Sequence, residues 1–481
     1  FFGVTRLFNS LPPGQLIGLL ASVQIIVLVA LPYAFSSAPP IDVVEGLVWA
    51  PHWLIGTYKH PPLPSWIIEL SVLITRDVIL GPFLASQISV AITYGLVFLL
   101  GRLLMDPVRA AAGTALIAAS YYFTVPTIEF NHNVIQLPLW AGTIFIYALL
   151  RQTPASWSKW ILFGLICGLG FYAKYSFALL IGVLLICNLV VPSLRRVWLS
   201  PGPYLAIGTT LIVIAPHATW LWSHNFEPFF YLADRAGSPT ASEPLWFLGA
   251  QFADHLPMIV PLIFAGLWTL KQAEKIAAEN TDKIFLRIVT LLPVALTLIF
   301  ALISNNRIKD MWGMPMFTSL GLLIVMETGR KWSMGMVRRA MLASVSLIML
   351  VGVGFILHAQ FVFGGNTPRT NWPMRELSNE IHALWKSSAH SPLSIIGGAP
   401  WLAGLAAVET PLRDQVIIGE TLDHSPWISA GDVKTKGALF LFSGARENAP
   451  SLCTGRVIKD ILKTQIPDDQ SITAFICLPS S

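Results

Sequence analysis

Long apolar runs alternate with short polar connections over the first three quarters of the chain. Those at about 15–36, 80–103, 109–125, 134–151, 159–174, 176–193, 203–222, 246–269, 284–304, 311–328 and 338–362 each read as a membrane-crossing helix. About 20 apolar residues at 1.5 Å rise span a bilayer core, so about eleven transmembrane helices are predicted. The run 64–76 is shorter and closely flanked by charge, and is expected to lie in the interface. From about Gly364 the pattern becomes that of a water-soluble chain. "ELSNEIHALWKS" sets Leu377, Ile381 and Leu384 at helical spacing, whereas "LSIIGG", "QVIIGE", "GALFLFSG" and "SITAFICL" read as strands between Gly, Asp and Ser. The prediction is a mainly α, polytopic membrane protein with a small C-terminal α/β domain. Its parts are a transmembrane domain over 1–363 and an extracytoplasmic domain over 364–481.

Composition agrees. Hydrophobic residues make up 54% and charged residues 12%, against about 25% charged in a soluble domain. The net charge of +5 is therefore a matter of topology, and no nucleic-acid partner is expected. With a cytoplasmic N-terminus, fifteen Lys and Arg residues fall on the inner side. Six fall on the outer side before the tail: Lys59, Arg76, Lys174, Arg235, Arg307 and Lys309. That asymmetry obeys the positive-inside rule, and eleven crossings place the tail outside. The chain begins at Phe1 rather than Met, as a trimmed chain would, and no cleavable signal pattern precedes the first run. Cys167 and Cys187 sit in apolar runs as small core residues. Cys453 and Cys477 lie in the tail, where a disulfide is open to them if the tail is extracytoplasmic. No internal repeat is visible.

Polar groups at membrane depth are costly and tend to mark function, and here they gather in the outer loops. The first carries Asp42 and Glu45, whose i, i+3 spacing puts both carboxylates on one face of a helix over 41–50. Two readings compete: paired carboxylates for acid/base work, or a capping box with Asp42 as helix cap. In "TYKHPPLPSW" two prolines stiffen the backbone behind Lys59 and His60. Such a cation pair suits a phosphate, and the alternative is a lysine snorkelling to headgroups. The second outer loop, "TVPTIEFNHNVIQLPLW", concentrates Glu129, Asn131, His132 and Asn133, groups able to bond sugar hydroxyls. No His-x3-His or Cys-x2-Cys spacing supports a metal there. Lys174, in "GFYAKYSFALL", is a candidate phosphate ligand, and Arg307 with Lys309 adds further cations in "ISNNRIKDMWGMP". His217 and His224 read as satisfied core or interfacial histidines.

Taken together, the outer "D-x-x-E", the "Y-K-H-P-P-L-x-x-W" element, "FNHNVIQLPLWAGTIFIYALLR", "GLGFYAKYSFALL", "IVIAPHATWLWSHNFEPFFY" and "RIKDMWGMPMF" resemble a known family. They look like the GT-C glycosyltransferases, in the branch of the protein O-mannosyltransferases and the lipid A aminoarabinose transferase, over roughly residues 15–330. The resemblance implies transfer of a sugar from a polyprenyl phosphate to an acceptor on the periplasmic side of a bacterial inner membrane. Lipid A, lipopolysaccharide core, another envelope glycan and a protein are all open as acceptors. It implies Asp42 as the acidic catalytic residue, with Glu45 second. Lys59, His60, Lys174 and Arg307 would serve the donor phosphate, and Glu129, Asn131, His132 and Asn133 the sugar or acceptor. Members of the branch carry Lys directly before the paired prolines where this chain has His60. Single-step attack would invert the anomeric centre, and neither cofactor nor divalent metal is expected. A transporter or flippase for a lipid-linked sugar would use the same cations, but the spans at 80–125 and 284–304 are apolar in their middles. A non-catalytic envelope scaffold is the third reading.

Overall fold

A computed structural model describes residues 10–236, 242–266, 280–304, 308–329, 331–361, 367–464, 466 and 471–479. The chain divides into two units. One comprises Phe1–Ala30, Lys59–Leu63 and Ser86–Gly352, the other Leu31–Tyr58, Pro64–Ala85 and Val353–Ser481. Among the described residues, seven helical segments are long and apolar enough to cross a membrane: Pro13–Phe35, Leu80–Leu104, His132–Gln152, Gly202–Ser223, Glu243–Phe264, Asn280–Ile303 and Met334–Gln360. The runs expected at 159–174 and 176–193 form shorter apolar helices, Trp157–Ala173 and Ala178–Val190.

Two expected crossings take a different form. Over 109–125 the helix is only Pro107–Ala118, started by Asp106, whose carboxylate accepts from the Val108 and Arg109 amides. It gives way to the 3-10 turns Tyr121–Phe123 and Val125–Ile128. Over 311–328, a 3-10 turn Asp310–Gly313 leads through further turns to the eight-residue helix Leu320–Glu327. Gly113 and Gly321 let these two short helices touch backbone to backbone, a packing that a Cβ at either would block.

Irregular backbone in an apolar interior must find hydrogen bonds inside the protein. The turns at 121–128 find them on side chains of the first two long helices, named here α1 (Pro13–Phe35) and α2 (Leu80–Leu104). Gln24 donates to the Phe123 carbonyl at 2.6 Å, and Gln87 donates to the Thr127 carbonyl at 2.7 Å. Ser86 donates to the same Thr127 carbonyl, and Tyr94 donates to the Gln24 amide oxygen at 2.6 Å. All four side chains are buried. Helix α3 (His132–Gln152) leaves these turns with Asn131 as its cap, accepting from the Asn133 and Val134 amides. Helix α4 (Trp157–Ala173) lies against α5 (Gly202–Ser223) through Gly164 and Gly168, four residues apart and facing Ala206, Thr209 and Val213. Small residues at that spacing permit close helix approach in lipid.

The second unit holds the short helix α6 (Ile41–Trp49), α7 (Leu63–Thr75) and the C-terminal residues. Its sheet has five strands, β1 (Ile396–Gly398), β2 (Val416–Ile418), β3 (Ala438–Ser443), β4 (Val457–Ile461) and β5 (Ile472–Cys477), in the order β2-β1-β3-β5-β4. The first three run parallel, while β5 is antiparallel to both β3 and β4. Four of the five match the strands read from the sequence. β4 was missing from that reading because its "VIKDI" lies on the sheet edge, largely exposed, without a buried face. The amphipathic helix α8 (Met374–Ser388) buries Leu377 and Ile381 as its spacing required. Helix α9 (Pro400–Ala407) follows β1. Cys453 and Cys477 form a disulfide, with Cα atoms 5.2 Å apart, and Cys167 and Cys187 are buried free thiols.

Candidate active site

In the second unit, α6 lies between two neighbours. A Cβ on Gly46 would strike Ile68 of α7, and Gly404 of α9 sits against Val44 and Val48. These contacts bury every residue from Val43 to Trp49 except Glu45, leaving Ile41, Asp42 and Glu45 on the half-buried face. The i, i+3 pairing of carboxylates is thus realised. The capping-box alternative is not: Pro40 occupies the cap position, and no side chain caps this helix. Asp42 stands in the first turn, where the helix dipole favours a carboxylate.

Downstream of α6 the chain makes a 3-10 turn, Ala50–His52, and Trp53 takes a left-handed φ of 45°. Trp66 of α7 donates from its indole to the Leu54 carbonyl at 2.8 Å. His52 is stacked on Trp427, with centroids 4.0 Å apart, and Tyr58 is stacked on His424 at 3.9 Å. Trp49 meets Tyr58 edge-on at 6.0 Å. No local pattern points to these partners from 424–427, more than 350 positions away. Burial holds the His52 imidazole below its ordinary range; Asp414 works against this and Arg413 adds to it. A depressed histidine favours the folded state above its unfolded value of about 6.5 and loses that contribution as pH falls through the lower folded value. Thermal stability measured against pH is therefore expected to decline below about 6.5, with a shallower decline in His52→Phe. An identical slope in the variant would remove His52 from this account.

The basic residues are in the first unit. Lys174 ends α4 in extended conformation and precedes the 3-10 turn Tyr175–Phe177. Gly170 leaves room for the Phe177 ring, which meets Trp140 of α3 edge-on at 6.0 Å, and Gln136 donates to Ser176 at 3.2 Å. These ties fix the turn on the first half of α3. They set the Lys174 ammonium 2.6 Å from the Asn133 amide oxygen, while the Asn133 amide nitrogen faces the Met311 sulfur at 3.4 Å. The His60 ring meets the His132 ring at a tilt of 37°, with centroids 4.4 Å apart. The charges of His60, Lys174, Lys59 and Lys309 all act on His132. Lys59 also lies 5.9 Å from the centroid of the Tyr231 ring.

The structure therefore brings Lys59, His60, His132, Asn133 and Lys174 into one neighbourhood and adds Lys309 and Tyr231. Asn131 serves as a helix cap beside them, and Glu129 is half-buried just before it. Arg307 lies outside the described residues. His217 is a buried histidine bonded to the Tyr175 hydroxyl at 3.0 Å, as the sequence suggested. Among the described residues, no three His, Cys, Asp or Glu side chains are grouped to hold a metal ion. The neighbourhood suits an anion. The N-terminus of α3 carries partial positive charge, and an ammonium lies beside it.

Residues 59–220 match the dolichyl-phosphate-mannose-protein mannosyltransferase family. Among curated proteins the chain is similar to two sugar transferases. Undecaprenyl phosphate-alpha-4-amino-4-deoxy-L-arabinose arabinosyl transferase 1 of Pseudomonas fluorescens is 26% identical over 63% of this chain, and the match spans 55% of that protein's length. The lipopolysaccharide core galacturonosyltransferase RgtA of Rhizobium johnstonii is 25% identical over 82% of this chain and 80% of its own. In fold, the chain is similar to crystalline ArnT from Cupriavidus metallidurans bound to undecaprenyl phosphate. That likeness has a TM-score of 0.59 at 15% identity and covers 95% of this chain and 97% of that one.

Proposed function

We propose that this protein is an inverting glycosyltransferase that moves a hexosyl or pentosyl group from a polyprenyl-phosphate sugar to an envelope glycolipid, lipid A or lipopolysaccharide core. The observation that carries the reading is the Lys174–Asn133 contact at the head of α3, with His60, Lys59 and Lys309 acting on the adjoining His132. Relatives named for undecaprenyl-phosphate sugars and for lipopolysaccharide core support the same donor and acceptor classes.

In this reading the acceptor hydroxyl attacks the anomeric carbon while the bond to the phosphate oxygen breaks, so the anomeric configuration inverts. Negative charge grows on the departing polyprenyl phosphate, where Lys59, His60, Lys174 and Arg307 stabilise it in a site poor in water. Asp42 takes the hydroxyl proton, with Glu45 on the same helical face. Glu129, Asn131, His132 and Asn133 bond sugar or acceptor hydroxyls. A phosphate is already a good leaving group, so no metal or cofactor enters the scheme. The charge asymmetry of the loops and the Cys453–Cys477 disulfide support a bacterial inner-membrane protein with a cytoplasmic N-terminus and a periplasmic C-terminal domain.

The test is binding and turnover of polyprenyl-phosphate sugars, pentosyl and hexuronosyl, by the full chain in liposomes holding a glycolipid acceptor. Lys174→Ala should weaken donor binding roughly 10- to 150-fold, the range for losing one charge-assisted hydrogen bond. Unchanged donor affinity would take Lys174 out of the phosphate site. Unaided passage of donor across the bilayer without transfer would replace the transferase by a flippase.

A further inference from the structure

We propose that the loop after β2, residues 419–428, belongs to the catalytic apparatus. It clamps the first outer segment through two ring pairs, Tyr58 with His424 and His52 with Trp427. The inference deepens the reading above and rests on it, since it assumes that the segment from Asp42 to His60 carries reacting groups.

In an open α/β sheet the C-terminal ends of the parallel strands form the edge where ligands bind. Here β1, β2 and β3 each end at or beside a glycine with positive φ, namely Gly398 (114°), Gly419 (83°) and Gly444 (79°). Such conformations favour tight turns. What lies against the loop after β2 is the chain's own His52 and Tyr58, each ring nearly parallel to its partner, at 12° and 20°.

The loop is built to hold those rings still. The Ile418 amide donates to the buried Ser425 hydroxyl at 2.8 Å, and the Trp427 indole donates to the Val416 carbonyl at 3.0 Å. Arg446 donates to both oxygens of Glu420 at 2.6 Å. Thr421 donates to Asp423 at 2.8 Å. The segment it grips forms no helix or strand between Trp53 and Pro62. Two flat faces gripped by a braced loop therefore fix where α6 ends and where the backbone turns toward Lys59, the residue directly after Tyr58. His52, Tyr58, His424 and Trp427 are positioning residues, acting through Asp42, Lys59 and His60.

The test uses the full chain in liposomes with polyprenyl-phosphate sugar and glycolipid acceptor. His424→Ala and Trp427→Ala should lower kcat on the order of 10- to 100-fold, the scale for misplacing reacting groups by about an ångström. The donor KM should change less than kcat, because Lys174, the phosphate ligand outside the clamped segment, is untouched. His424→Phe and Trp427→Phe keep a flat ring and should regain most of the rate. Amide hydrogen exchange over 52–58, measured without substrate, should rise in the alanine variants and not in the phenylalanine ones. Should an alanine variant fail to fold, His424→Leu and Trp427→Leu fill the space without a ring face and carry the same comparison. Wild-type kcat with protected amides in the ring-less variants overturns the clamp, as does a lost rate that phenylalanine does not restore. If the wild type transfers no sugar, the transferase reading fails alone, and exchange still judges the clamp.

Discussion

Asp42→Asn should lower sugar transfer about 10²- to 10⁴-fold, the usual contribution of a positioned general base, while donor binding changes little. The substitution is informative because it removes the carboxylate's charge without removing a helix cap. Pro40, not Asp42, occupies the cap of α6, and no side chain caps the helix. Asparagine keeps the size of the side chain, and the packing of α6 on Ile68 and Gly404 is made by its other faces. Glu45→Gln, one turn along the same face, serves as the control for charge alone and should cost less. The measurement is single-turnover transfer in liposomes supplied with donor lipid and acceptor. Full turnover by Asp42→Asn would leave this protein without its proposed base and would move attention to Glu45.

Arg413→Met should destabilise the protein by about 3–5 kcal/mol, the cost of stranding a buried charge. Arg413 donates to one oxygen of Glu69 at 3.0 Å and approaches the other at 2.9 Å, and the Glu69 side chain is only 6% exposed. The pair ties the residues after α9 to α7, and the arginine neighbours Asp414, which acts on His52. Removing the arginine alone leaves a carboxylate in an apolar setting. The double variant Glu69→Leu/Arg413→Met removes both charges and should recover most of the stability, since buried pairs break roughly even against apolar packing. Thermal unfolding in detergent checks this, and a single variant as stable as the wild type would refute the buried-charge account.

Much of the helical architecture was legible because lipid-facing and fully buried helices both demand apolar residues. That same equivalence explains the misreadings. Nothing in the run 109–125 distinguishes a helix that crosses the membrane from one that stops at Ala118 and continues as 3-10 turns. The difference is made by Gln24, Ser86 and Gln87, donors on other helices that satisfy the carbonyls of Phe123 and Thr127. Strand β4 escaped for a related reason, since an edge strand without a buried face carries no alternating signal.

The site divides in the same way. The sequence by itself determined that Asp42 and Glu45 share a face, that Lys59 and His60 precede a stiff pair of prolines, and that Lys174 is a cation between apolar helices. Those are consequences of helical period, proline geometry and the cost of charge in lipid, all local to the chain. Only the tertiary structure decided that Lys174 meets Asn133, that the His60 ring meets His132, and that His424 and Trp427 close over Tyr58 and His52. Contacts between residues 41 to 375 positions apart depend on packing. Packing is set by which small residues let helices approach and which buried polar groups find partners, and no local pattern records those outcomes.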